Sequence, residues 1–143
     1  MDKPDPFVSP YFGPWDPSIK RLAEAHPLLF RNKPPKIWSD LAAGWYQVVD
    51  QLCDQIETTL PPSELRKLQF TQLKEKFGTL RIHLEYRGSY DSPTWSTVRE
   101  LIDAAQHVAD KTCQDCGALA ELRQHGGWYL TLCDEHFAQR TSK

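Results

Sequence analysis

Long apolar runs are missing from this 143-residue sequence. None approaches the roughly 20 residues that a helix needs to cross a bilayer. The first six residues are polar or proline apart from Met1, so they offer no apolar core for a signal peptide. We therefore expect a cytoplasmic protein that does not act at a membrane.

An excess of positive charge is also missing, since the formal net charge is −2 at pH 7. A protein that binds nucleic acid without regard to its sequence usually presents a basic surface, because Lys and Arg neutralise the phosphates. The charge balance disfavours bulk DNA binding, and nucleic acid is left as a secondary candidate partner.

Cysteine is scarce, with four residues in the chain. Three of them fall into a metal-ligand pattern, and the fourth, Cys53, has no evident disulfide partner, which suits a reducing compartment. Cys53 shares a helical stripe with Val49, Leu52 and Ile56. The sequence therefore predicts a buried, unreactive thiol rather than a catalytic nucleophile.

Proline is abundant by contrast, with 11 residues against 7 glycines, and is concentrated near the N-terminus. Residues 1–17 form a proline-rich arm in which regular structure is disfavoured. The large aromatic side chains of the arm either complete the protein's own core or face a partner, and the sequence leaves both hypotheses open. These side chains are Phe7, Tyr11, Phe12 and Trp15.

Apolar residues at spacings of three and four predict two main helices. One carries an apolar face over residues 41–56, and Ser39 or Asp40 is placed to cap its N-terminus. The other covers residues 95–109. A shorter helix is predicted at 18–25.

A strict alternation of apolar and polar residues over 80–86 predicts a half-buried strand, with residues 69–76 as its antiparallel partner across the corner 77–79. The expected fold class is α+β, in which a small antiparallel sheet packs with two main helices. We expect this domain to span 1–112 and a C-terminal zinc module to span 113–143, packed together as one compact unit.

The strongest motif lies near the C-terminus. Cys113 and Cys116 are separated by two residues and followed by Gly117, the pattern of a tight knuckle that turns two thiolates toward one ion. A second pair with the same internal spacing, Cys133 and His136, follows after sixteen intervening residues. This spacing is typical of structural zinc sites and predicts Zn²⁺ as the cofactor.

Between the two pairs, residues 120–124 and 128–132 predict a hairpin, and a helix is predicted to begin at Cys133. A knuckle, a hairpin and a helix that carries two ligands resemble the treble-clef arrangement. Three thiolates and one imidazole complete a tetrahedron, so the zinc is expected to be structural. His125 lies beside the Gly-Gly turn and is expected to be exposed.

Two enzyme classes deserve comparison. His83 and Glu85, followed by the Cys113 pair, superficially match the signature of zinc nucleobase deaminases, but that signature places a proline where this chain has Thr112. HNH-type nucleases need a further histidine at a catalytic metal, and His125 is the candidate nearby. Both remain remote alternatives, and no evident catalytic constellation emerges.

Several strings together resemble a family of small uncharacterised proteins encoded in bacteriophages and prophages. The resemblance spans about 40–137, and its most specific part is the string KEKFGTLR together with the terminal zinc pattern. The strings are Gly44 to Tyr46, Lys74 to Arg81, Cys113 to Cys116, Gly127 to Trp128 and Leu132 to His136.

The resemblance implies an accessory role in an infected bacterium. Small phage accessory proteins commonly bind a host protein and block or redirect it, so we expect a non-enzymatic modulator of a bacterial host protein. The expected binding surface combines the aromatic arm with the corner that carries Phe77 and Arg81. A nucleic-acid-associated module remains the alternative, because Lys74, Lys76 and Arg87 could converge with Arg81 on one sheet face.

Overall fold

The computed structural model describes residues 8–9, 13–14, 17–31 and 38–142. These residues form an α+β fold, as the sequence predicts. A 3₁₀ turn at Ala43–Trp45 precedes the second helix. The elements are β1 Val8–Ser9, β2 Gly13–Pro14, α1 Pro17–Ala25, β3 Trp38–Asp40, α2 Tyr46–Thr59, α3 Pro62–Leu65, β4 Leu68–Lys76, β5 Thr79–Tyr86, α4 Pro93–Ala109, β6 Glu121–His125, β7 Trp128–Leu132 and α5 Asp134–Thr141.

The main sheet has the strand order β3-β4-β5. β4 pairs with β5 in antiparallel orientation, as predicted, with Leu73 opposite Ile82. A bulge at Thr71, near the start of β4, shifts the register. The apolar residues of β5 alternate inward as expected, while Arg81 and His83 are exposed.

The sheet also contains a strand that the sequence analysis missed. β3 pairs with β4 in parallel, with Ser39 opposite Leu73. The expectation that Ser39 or Asp40 caps the second helix is therefore wrong, because both residues lie in β3. Parallel neighbours need a long crossover connection, and α2 supplies it. α2 itself begins from the 3₁₀ turn without a side-chain cap.

The hydrophobic core lies where the sheet, α2 and α4 meet, with α2 packed on α4 and α4 on β5. Each buried aliphatic or aromatic side chain contributes about 1.5–3 kcal/mol relative to full exposure. Cys53 is among the fully buried residues, as predicted. The largest fully buried side chains of this core are Trp45, Phe30, Phe70, Ile19, Leu22, Leu29, Leu52, Ile56, Leu68, Leu73 and Leu80.

Near the N-terminus, β1 and β2 form a two-residue antiparallel ladder that pairs Val8 with Pro14. The expectation of no regular structure in the arm is wrong for these residues, because a proline is tolerated in a strand that leaves its nitrogen unpaired at an edge. The arm's aromatic residues lie outside the described residues. They are Phe7, Tyr11, Phe12 and Trp15.

The C-terminal part of the chain lies directly against the turn that begins α2. The Gly44 amide donates to the Gln114 carbonyl at 2.8 Å, and the Trp45 indole Nε1 donates to the Thr112 carbonyl at 2.9 Å. A Cβ built on Gly44 would lie 2.0 Å from the Cys113 carbonyl oxygen. Only a glycine allows the two backbones to come this close.

We predict that Gly44→Ala lowers the free energy of unfolding by about 3 kcal/mol, because the added methyl must push the Cys113 loop away from α2. Chemical denaturation measures the change. Gly126→Ala is the matched control: nothing lies within 4 Å of a Cβ there, and only its positive φ of 57° adds strain. We expect the control substitution to lower the free energy of unfolding by about 1 kcal/mol. Equal losses in the two variants would contradict the packing argument.

Candidate metal centre

The first half of the site is a knuckle that follows α4. The Cys113 amide donates to the Ala118 carbonyl at 2.8 Å, and the Gly117 amide donates to the Cys113 carbonyl at 2.9 Å. Gly117 has a φ of +83°, which closes the turn. The knuckle therefore brings the thiols of Cys113 and Cys116 to the same side of the loop.

The second half consists of a hairpin and a helix. β6 and β7 pair over five residues each around Gly126 and Gly127, both of which have positive φ. β6 begins one residue later than predicted. Cys133 caps α5, and its Sγ accepts from the His136 amide at 3.5 Å. The N-terminal helix turn thus presents both Cys133 and His136.

The structure brings the four predicted ligands together, and their ligand atoms all lie within 4.8 Å of one another. Cys133 Sγ lies 3.2 Å from His136 Nδ1, and Cys113 Sγ lies 3.8 Å from the same nitrogen. The Sγ atoms of Cys116 and Cys133 are 3.8 Å apart. The group could bind a metal ion, with Cys113 on its buried side and Cys116 on its exposed side.

Backbone amides prepare Cys113 for ionisation. Burial alone raises the pKa of its thiol, but hydrogen bonds from the backbone at Cys133, Cys116 and Asp115 favour the thiolate and lower the pKa to about 7. The pKa of Cys116 is raised: the Ala118 amide lowers it, but desolvation and the neighbouring sulfurs outweigh that effect. Metal binding requires thiolates, and of these two cysteines Cys113 ionises the more readily.

Two arginines hold α5 in place. Arg140 pairs with the Asp115 carboxylate of the knuckle through two hydrogen bonds, of 2.7 and 3.2 Å. Arg123 donates to the Leu132 carbonyl at 2.9 Å, and its guanidinium lies 4.7 Å from the centroid of the Phe137 ring. These contacts connect the knuckle, the hairpin and the helix that supply the ligands.

A buried polar link that was not predicted from the sequence lies next to the site. Gln114 and Thr131 are both buried. The Gln114 backbone amide donates to the Thr131 carbonyl at 2.9 Å, and the Thr131 backbone amide donates to the Gln114 side-chain oxygen Oε1 at 2.7 Å. The Thr131 hydroxyl donates to the Gly78 carbonyl at 2.7 Å, which joins this link to the β4–β5 turn. The sequence pattern around these two residues does not distinguish their polar side chains from those of surface residues.

The other histidines considered from the sequence are not members of the Cys113 ligand group. His125 is exposed and lies edge-on to the Phe137 ring. His83 is exposed on β5, opposite Gln72. The cysteine pair is thus grouped with Cys133 and His136, not with His83 as the deaminase signature would need.

An apolar groove adjoins the site. It has a volume of about 590 Å³ and is lined by residues of the β6–β7 hairpin and α5, namely His125, Trp128, Leu130, Gln139 and Arg140. On the other side of the hairpin lies the β4–β5 corner, where the predicted partner residues Phe77 and Arg81 are both exposed.

Comparisons with protein-family models, curated proteins and solved structures give no match to this chain. Within the described residues, no helix is long and apolar enough to span a membrane.

We predict that Cys116→Ser reduces the bound metal well below one ion per chain and lowers the melting temperature, because a neutral hydroxyl is a poor substitute for a thiolate. Elemental analysis of purified protein and thermal denaturation measure both effects. Cys53→Ala is the control for metal content, since it also removes a thiol but leaves the ligands intact and should keep one ion per chain. A Cys116→Ser protein with full metal content and an unchanged melting temperature would contradict the site.

We also predict that Cys53 reacts slowly with a thiol reagent in the native protein. Burial raises the pKa of its thiol well above the usual value, and the carboxylates of Glu57, Asp50 and Asp54 raise it further. Mass spectrometry after timed alkylation locates the modified residues. Denaturant should make the same thiol react promptly, and fast labelling without denaturant would contradict its burial.

Proposed function

We propose that Cys113, Cys116, Cys133 and His136 bind one Zn²⁺ that stabilises the structure. A tetrahedral zinc ion with ordinary bond lengths separates two sulfurs by about 3.8 Å and a sulfur from a nitrogen by about 3.6 Å. The sulfur separation of 3.8 Å and the sulfur–nitrogen separations of 3.2 and 3.8 Å lie close to these values. Four protein ligands leave no position for water, so this ion would not carry chemistry.

We further propose that the protein is a non-enzymatic accessory protein of a phage or prophage that binds and inhibits a bacterial host protein, such as a defence component. The resemblance of the KEKFGTLR and zinc strings supports the phage setting. The observation that carries the binding role is an exposed apolar surface where the tip of the β4–β5 hairpin touches one face of the β6–β7 hairpin. This hairpin-tip surface consists of Phe77, Leu122 and Tyr129.

The tip of the β4–β5 hairpin is held against the β6–β7 hairpin. A Cβ on Gly78 would lie 2.5 Å from the Leu122 side chain and 3.2 Å from the backbone at Tyr129 and Leu130. The hydrogen bond from Thr131 to the Gly78 carbonyl lies beside this contact. Because the two hairpins are fixed to each other at this contact, the apolar side chains around it form one preorganised surface, and little conformational entropy is lost when it binds.

Phe77 supports this role most directly. It is 65% exposed, so its ring gains little from the protein's own core. Its φ of 55° lies in the left-handed region, where the hairpin turn favours Asn or Gly and a phenylalanine costs about 1–2 kcal/mol. Strained residues persist where function needs them, and aromatic side chains are effective anchors at interfaces.

A nucleic-acid-associated role is the second candidate. The register places Lys74 directly opposite Arg81 on the polar face of the sheet, where like charges repel. The exposed Glu85 lies on the same face of β5 as Arg81, however. The face is therefore mixed in charge and favours the protein-binding proposal. RNA or DNA affinity that falls steeply with salt would favour the nucleic-acid role instead.

We predict that Phe77→Asn keeps the protein folded, with a free energy of unfolding unchanged or up to about 1 kcal/mol higher, because asparagine tolerates positive φ. Partner binding should fall by at least about thirtyfold, the effect of losing an interface anchor. The measurement is quantitative mass spectrometry of proteins captured from a bacterial lysate, followed by affinity measurement with the captured protein.

Two further variants complete this experiment. Tyr129→Ser should weaken the same interaction. Val108→Ser, which changes an exposed apolar residue of α4, is the matched control and should bind as the wild type does. If no protein is enriched by the wild type, or if all three variants capture the same protein equally, the hairpin-tip surface is not a binding site.

A further inference from the structure

A second group of metal-ligating side chains lies far along the chain from the Cys113 site, where the end of α1 meets α2. His26 follows α1 and is fixed by its backbone: its amide donates to Leu22 at 2.8 Å, and its carbonyl accepts from Leu29 at 3.1 Å. Its side chain is only 5% exposed. The ring is therefore held in one place against α2.

Three carboxylates of α2 converge on this ring. Asp50, Asp54 and Glu57 are spaced by four and three residues, so they share one face of the helix. Asp50 Oδ1 lies 2.7 Å from His26 Nε2, and Glu57 contacts Nδ1 on the opposite side of the ring. Ligand atoms of His26, Asp54 and Glu57 all lie within 4.8 Å of one another.

Within the described residues, three carboxylates lie around a single imidazole. His26 is the ion-pair partner of both Asp50 and Glu57. Carboxylates three or four residues apart on a helix repel one another. The side chains of Asp50 and Glu57 are also partly buried, at 28% and 30% exposure, which weakens screening by water.

We propose that His26, Asp54 and Glu57 bind a divalent transition-metal ion of the zinc class, with Asp50 as the positioning residue. An Nε2–H that donates to Asp50 leaves the Nδ1 lone pair directed at the other two ligands, the arrangement by which carboxylates orient metal-binding histidines. One imidazole and two carboxylates suit Zn²⁺, Co²⁺ or Mn²⁺, and water completes the coordination. This site is independent of the proposed zinc and binding functions.

Cobalt distinguishes the two sites by their donors. The full-length protein is first loaded with one Zn²⁺ per chain, and Co²⁺ is then added with equilibrium dialysis and a visible spectrum. We expect one Co²⁺ per chain with weak bands from oxygen and nitrogen ligands. An intense sulfur-to-cobalt band would show that Co²⁺ had entered the thiolate site, and binding confined to that site would overturn the proposal.

Asp54→Asn is the informative variant, because Asp54 is exposed and its loss leaves the buried His26 ring with both of its partners. Its Co²⁺ affinity should be at least about tenfold lower than that of the wild type, and Asp50→Asn should lower the affinity about 10–100-fold. Asp103→Asn, an exposed carboxylate of α4, is the matched control and should leave the affinity unchanged. His26→Gln, checked for folding by circular dichroism, should abolish the second ion.

Two outcomes would overturn the second site. The first is a wild-type protein that binds no Co²⁺ beyond the zinc-loaded site. The second is an Asp54→Asn protein that binds Co²⁺ as tightly as the wild type does. In either case His26 serves only as an ion-pair contact between the end of α1 and α2.

Discussion

The close approach of Gly44 to the Cys113 loop is the contact on which the arrangement of this protein depends. The turn that begins α2 is joined to the loop that begins the metal centre by the hydrogen bond from the Gly44 amide to the Gln114 carbonyl, at a position that has no room for a side chain. Trp45, next to this glycine, is buried in the core and bonds to Thr112. One short segment therefore connects the hydrophobic core to the ligands of the proposed zinc ion.

Local patterns in the sequence predicted the parts that depend on near neighbours. The β4–β5 hairpin follows from strict alternation and a short corner, and the Cys113 group follows from ligand spacing, because in both cases the interacting residues are close in sequence or belong to paired motifs. β3 was missed because a parallel strand of three residues carries almost no periodic signal and is stabilised by a partner far away in the chain.

The same limit applies to polar contacts between distant elements. Gln114 and Thr131 look like surface residues in the sequence, and only the fold shows that they are buried and bonded to each other. His26 likewise gives no local sign that Asp50 and Glu57 will contact its ring. A glycine that faces open solvent and one that contacts another backbone, such as Gly127 and Gly44, are also indistinguishable by composition.

The parallel pairing of β3 with β4 has a consequence for the order of folding. A hairpin such as β4–β5 closes within microseconds, because its strands are joined by two residues. β3 can join that hairpin only after α2 and α3 have brought the chain back, and closing this long loop costs entropy before any contact repays it. We expect the edge strand to form late, on a template that the hairpin and the helices have already built.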